Sequence, residues 1–281
     1  MKRISIVFLF SLVVLGCGVY SQRVSSVPEG PYLGQKPPGS TPELFAPDII
    51  QTEYREGAYA IPPQLDEFYI RRRGGEHKSN TLVVVQYKSN QWIESVISPK
   101  SGEPFISPDG KVMHLGKKYR ERTDTGWSDV KSLGAPFEDY RIMRLTASSS
   151  GTYYFDEASK SGPIRYSRFI DGKREAPKAI DIKMGDWNAH PFIAPDESYL
   201  IWDDQGEGGY GSSDLYISFR KDDGSWGAAI NLGDKINSEF EDAYGSVSPD
   251  GKYFFFLRSY GGNKADIYWV DAQVIKALKP I

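Results

Sequence analysis

One phrase in this chain returns. Ile106-Ser107-Pro108-Asp109-Gly110-Lys111 comes back as Val247-Ser248-Pro249-Asp250-Gly251-Lys252, and more loosely as Ile193-Ala194-Pro195-Asp196-Glu197. Each copy is followed by a strand-like run. A phrase repeated at this period limits the chain to a fold assembled from repeated small sheets. The chemistry of the phrase is that of a turn. Proline fixes φ, aspartate bonds its own backbone, and glycine supplies φ > 0, so the chain reverses between two strands. Asp109 and Asp250 are therefore read as turn geometry and not as catalytic groups.

Two degenerate copies extend the series. In Ile61-Pro62-Pro63-Gln64-Leu65, followed by Glu67-Phe68-Tyr69-Ile70, the proline and the strand survive. In Ala147-Ser148-Ser149-Ser150-Gly151, followed by Tyr153-Tyr154-Phe155, the turn glycine and the strand survive. The anchors Pro63, Pro108, Ser149, Pro195 and Pro249 recur at intervals of about 41 to 54 residues, roughly one four-stranded blade each. A second signature, a short strand opening with Trp or a substitute, begins at Trp92, Trp127, Arg174 and Trp226. Five inner phrases but four such outer strands leave one strand missing. Leu44-Phe45-Ala46-Pro47-Asp48-Ile49-Ile50 precedes the first phrase and matches the Ala-Pro and final Ile of the copy at 174–180. The expectation is an all-β, five-bladed β-propeller over 42–281, closed by an N-terminal strand that completes the last blade. Closure of this kind removes an open sheet edge. Val274, Ile275 and Leu278 stand at helical spacing and predict a short terminal helix packed on the ring.

At these residues the chain resembles the WD-like propeller repeat built on Ser-Pro-Asp-Gly-Lys, as in the TolB-like periplasmic propellers. Ser107-Pro108-Asp109-Gly110-Lys111 and Ser248-Pro249-Asp250-Gly251-Lys252 carry the resemblance, with Asp266-Ile267-Tyr268-Trp269-Val270 and its partner Asp214-Leu215-Tyr216-Ile217-Ser218. It implies the propeller fold. It does not imply one function, because the family includes translocation factors, enzyme accessory domains and lipoproteins.

The N-terminus predicts an address. Lys2-Arg3 precedes an apolar run from Ile4 to Leu15, the pattern of an export signal over 1–21. Val14-Leu15-Gly16-Cys17 resembles a lipobox, which would make Cys17 a lipid attachment point. Ordinary cleavage after Val19-Tyr20-Ser21 is the alternative. Gly18 after the cysteine, with no acidic residue, points by analogy to the outer membrane rather than elsewhere in the periplasm. Residues 22–41, rich in Ser, Pro and Gly, read as a flexible tether. Cys17 is the single cysteine, so the exported domain has no disulfide to hold it. The formal net charge of −3 gives no basic stripe for nucleic acid.

Catalytic motifs are missing from the sequence. No Gly-x-Ser-x-Gly elbow occurs, and Gly209-Tyr210-Gly211-Ser212-Ser213 reads as a loop. His77, His114 and His190 fall in different blades without a paired motif, and His114, within a strand, reads as a hydrogen-bonded structural histidine. No metal and no cofactor are expected. Loops that do not repeat, at the mouth opposite the turns, gather charged and aromatic residues, of which Arg141, Trp187, His190, Asp203, Asp204, Glu241, Asp242 and Tyr244 are the candidate ligand-binding set. Rings beside carboxylates and arginines suit a peptide, a protein surface or a glycan. Solvated loop polarity is the competing reading of each. The function expected is a non-enzymatic binding or scaffold module of the cell envelope. The alternative is a glycoside hydrolase pairing Asp203 or Asp204 with Glu241 or Asp242 across a scissile bond.

Overall fold

The computed structural model describes residues 29–206 and 208–280. The export segment 1–21 and Cys17 lie outside the described residues. The repeated phrase forms one turn five times. Backbone N–H groups of Leu65, Gly110, Gly151, Glu197 and Gly251 each donate to the carbonyl three residues back. All five donors have positive φ, between 60° and 81°. In the three copies that keep it, the aspartate accepts from the backbone two residues on: Asp109 from Lys111, Asp196 from Ser198 and Asp250 from Lys252. The degenerate copies thus keep the geometry after losing the letters. Glu197 holds a backbone better suited to glycine. Its carboxylate is tied to Ser148, Ser150, Tyr154 and Arg220, which offsets that strain.

Around these turns the strands form antiparallel meanders. The first group is Arg55–Ala60, Glu67–Gly74, His77–Lys88 and Gln91–Ser98. The second is Pro104–Ile106, Val112–Leu115, Lys118–Thr123 and Lys131–Ser132, and the third is Leu145–Ala147, Tyr153–Phe155, Arg165–Ser167 and Lys178–Ala179. The fourth is Asn188–Ile193, Tyr199–Asp204, Asp214–Phe219 and Ile230–Asn231. The last is Glu241–Val247, Tyr253–Ser259 and Ala265–Asp271, and its fourth strand is Glu43–Leu44. Glu43 stands opposite Trp269 and Leu44 opposite Tyr268. A single parallel pair, Arg55 with Ala265, joins the last group to the first.

Burial on both faces explains the unbroken apolar runs. Side chains alternate across a strand, so Phe255 and Leu257 enter one core with Phe45, Tyr59 and Phe68, while Phe254 and Phe256 enter another with Ile201 and Ile217. Each sheet is therefore clamped between two cores, as in strands covered on both sides. The tail is helical at Gln273–Lys276, and Ile275 is buried in the second of these cores.

Two expectations at the N-terminus need correction. The strand is only Glu43–Leu44; residues 47–50 turn, and Phe45, Ala46, Ile49 and Ile50 plug the core instead of extending the sheet. The described part of the expected tether, 29–41, is not all loose. Tyr32 and Leu33 are buried, the Tyr32 ring lies against Tyr253 and Trp269, and its hydroxyl donates to Asp250. An aromatic ring that can bury its face and bond its hydroxyl draws a Pro/Gly-rich segment onto the sheet.

Candidate functional site

The first strands of neighbouring groups contact one another in the middle of the molecule. There the fourth and last groups each carry a bulge. Two residues, His190 and Pro191, face one on the adjacent strand, and Tyr244 and Gly245 do the same. Bulges re-aim side chains. His190 and Tyr244 have φ of 48° and 58°, and their rings stack with centroids 3.7 Å apart. A left-handed backbone costs a non-glycine residue about 1–2 kcal/mol, so both bulges need support. It comes from carboxylates of the preceding group: the His190 N–H donates to Asp156 at 3.0 Å, and the Tyr244 N–H to Asp203 at 3.1 Å.

All five groups contribute to the cluster that results. His190 Nδ1 lies 2.9 Å from Asp203, and its Nε2 3.7 Å from Glu103. The Tyr244 hydroxyl donates to Glu103 at 2.9 Å, and Arg71 pairs with the same carboxylate at 2.9 Å. Arg144 lies over the Tyr244 ring, 5.6 Å from its centroid. These groups set one another's protonation. Burial opposes the charge on His190, but Asp203 and Glu103 outweigh it and hold its pKa up at about 9. Burial would raise Glu103 as well, yet His190, Arg71 and Arg144 keep it below the usual carboxylate range. Asp156, fully buried, is pushed up to about 6 chiefly by desolvation.

Of the residues chosen from sequence, His190, Asp203 and Tyr244 meet in this cluster. Asp242 does not; it is bonded to Arg258 and Ser238. Asp204 holds the backbone N–H of Gly185. The Asp242 arrangement is a repeated staple. Glu56 pairs with Arg72, which also donates to the Ile50 carbonyl, just as Arg258 donates to that of Ile236. Arg141 is exposed, and Trp187 and Glu241 are half-buried. His114 is buried between Phe105 and Tyr153, and its Nδ1 has no hydrogen-bond partner. Burial holds its pKa down at about 3, so it is a neutral core ring rather than a bonded one.

The sequence reading missed Arg144. Its residue is 1% exposed, its N–H is held by Asp156, and its Nε and Nη1 have no hydrogen-bond partner. It lines a cavity of about 350 Å³ that opens between the five turns. Pro63, Pro108, Ser149, Pro195 and Pro249 ring that cavity, one from each phrase, and Phe105, Phe192 and Val247 supply apolar wall. This concave surface lies on the side of the repeating turns; a second, larger hollow of about 990 Å³ lies between Thr52, Tyr54 and Arg55 and the loop Arg72 to His77, among the non-repeating loops to which the sequence pointed.

No protein-family model matches the sequence, and no curated protein sequence matches it. Solved structures do. TolB from Acinetobacter baumannii is similar at 17% identity and a TM-score of 0.53, over 80% of this chain and 54% of that one. This chain therefore spans about half the length of that structure. A gluconolactonase from Xanthomonas campestris matches at 9% identity and a TM-score of 0.44, over 88% of this chain and 94% of that one. At these identities the TolB likeness shows the fold alone: all-β, of the propeller type. Among the described residues, no helix is long and apolar enough to cross a membrane.

Proposed function

We propose that this is an exported five-bladed β-propeller, its ring closed by Glu43–Leu44, that serves as a binding module for a peptide, protein or glycan of the cell envelope. Five equivalent turns and the pairing of Glu43–Leu44 with the last group support the architecture. The apolar segment behind Lys2-Arg3 supports export, and Cys17 is the proposed lipid attachment.

The observation that carries binding over catalysis is the engagement of the central acids. A glycoside hydrolase needs two carboxylates free to flank a scissile bond. Here Asp156, Asp203, Asp204 and Asp242 hold backbone N–H groups, an imidazole or a guanidinium. The turn-side cavity has mostly apolar walls and few polar groups, the composition of a ligand site. The test is turnover of a glycoside panel by the purified domain, with Asp204→Asn and Glu241→Gln as controls. No turnover is expected. Hydrolysis by the wild type that either substitution abolishes would overturn the binding reading. For the anchor, labelled fatty acid should mark the wild type and not Cys17→Ala; equal labelling of both refutes it.

A further inference from the structure

We infer that the cavity between the five turns is a site for a small organic anion, its carboxylate held by Arg144 and its apolar body against Phe105, Phe192 and Val247. This deepens the binding reading and rests on it. Arg144 is buried, and two of its donors are unmatched by any protein acceptor. An unsatisfied buried donor costs about 1–3 kcal/mol, more when charged, so a bound ligand that brings an acceptor to this guanidinium recovers that cost. The other guanidinium of the cluster, Arg71, is already engaged by Glu103 and the Tyr244 hydroxyl. Arg144 alone in the cluster both lines the cavity and carries donors, Nε and Nη1, that are buried without a partner.

The fit is chemical as well as spatial. A planar guanidinium fork matches a carboxylate in bidentate geometry. The cavity volume of about 350 Å³ is at the small end of ligand pockets. The four prolines of its collar have no backbone N–H, and that of Ser149 is taken by the Pro195 carbonyl, so polar recognition falls to the depth of the cavity. There Ser246 and Tyr59 bond each other at 2.9 Å, beside Arg144. Among the described lining residues the one acidic group is Asp250. Its charge is offset by Lys252 at 3.1 Å, and its oxygens are held by Ser248 and the Tyr32 hydroxyl. A carboxylate can come from a free acid or from the C-terminus of a peptide.

Calorimetric titration separates these. The probes are hexanoate and 3-phenylpropionate, their alcohols and primary amides, and a short peptide ending in Phe with its C-terminus free or amidated. Wild type, Arg144→Gln and Ser149→Trp are titrated in parallel. At least one free carboxylate is expected to bind, its neutral analogue and Arg144→Gln being about tenfold weaker or worse. Binding of the short acids identifies a free acid as the source; binding of the free-ended peptide alone identifies a chain terminus. Ser149 is exposed at the cavity rim, so its replacement by Trp should block access while leaving the fold and Arg144 in place. It decides the matter if Arg144→Gln fails to fold. Equal binding of acid and neutral analogue, unchanged affinity in the blocked variant, or no binding of any carboxylate overturns the anion assignment. None of these restores a hydrolase, whose test is turnover.

Discussion

His190 is held in a left-handed backbone, stacked on a tyrosine and flanked by carboxylates, and these facts have one electrostatic consequence. Its folded pKa of about 9 exceeds the ordinary 6.5. The protonated ring therefore stabilises the fold fully below about pH 6.5, and that contribution is lost as pH rises through about 9. Urea unfolding of the wild type should show stability falling across that window, and His190→Gln should show a flatter profile. Parallel profiles would contradict the assignment. At this scale the sequence was partly legible. His190, Asp203 and Tyr244 could be found because charged and aromatic residues at the starts and ends of inner strands stand out. Arg144 could not, since Arg141 looks equivalent in sequence. The signal available was position: Arg144 directly precedes the inner strand Leu145–Ala147, as Glu103 precedes Pro104–Ile106. Asp204 and Asp242 misled for a physical reason. Asp204 is taken up by the Gly185 N–H and Asp242 by the Ser238 N–H, both in loops that enter an innermost strand.

Among elements, the turn was the most legible, because its geometry depends on one residue with positive φ and one i+3 hydrogen bond. Leu65 and Glu197 occupy that position without being glycine, so the copy at 61–65 is legible only through its proline, its spacing and the strand that follows. The N-terminal strand was legible in existence and not in length. Its pairing was signalled by the arithmetic of missing outer strands, but the apolar letters after Leu44 belong to a plug. Phe45 lies 4.8 Å from Phe68 and 5.1 Å from both Phe255 and Trp269, ring centroid to centroid. Phe45→Ala should cost about 3–5 kcal/mol in chemical denaturation. A loss below about 1 kcal/mol would mean that the segment docks after folding rather than forming part of the core.

At the scale of the molecule, the cavity and the charge cluster share one requirement. Residues from all five groups must be brought to a common centre, and no pair of adjacent sheets could do this alone. Arg71 belongs to the first group and Tyr244 to the last, yet they meet over Glu103. That meeting depends on holding the two ends of the chain together, which falls to Glu43–Leu44 and the parallel pair of Arg55 with Ala265. The closed ring is therefore the claim on which the site depends. Phe45 donates its N–H to Ile267, which makes Leu44 and Tyr268 a non-hydrogen-bonded antiparallel pair, the closer kind. Cysteines at both positions, in a chain with Cys17 replaced by alanine, test it directly. The account predicts that Leu44→Cys with Tyr268→Cys oxidises spontaneously and raises the melting temperature, closing a loop whose constraint is worth at most roughly 5 kcal/mol. Failure of this pair to oxidise in the folded protein, or a disulfide that lowers the melting temperature, would contradict a ring closed at that strand.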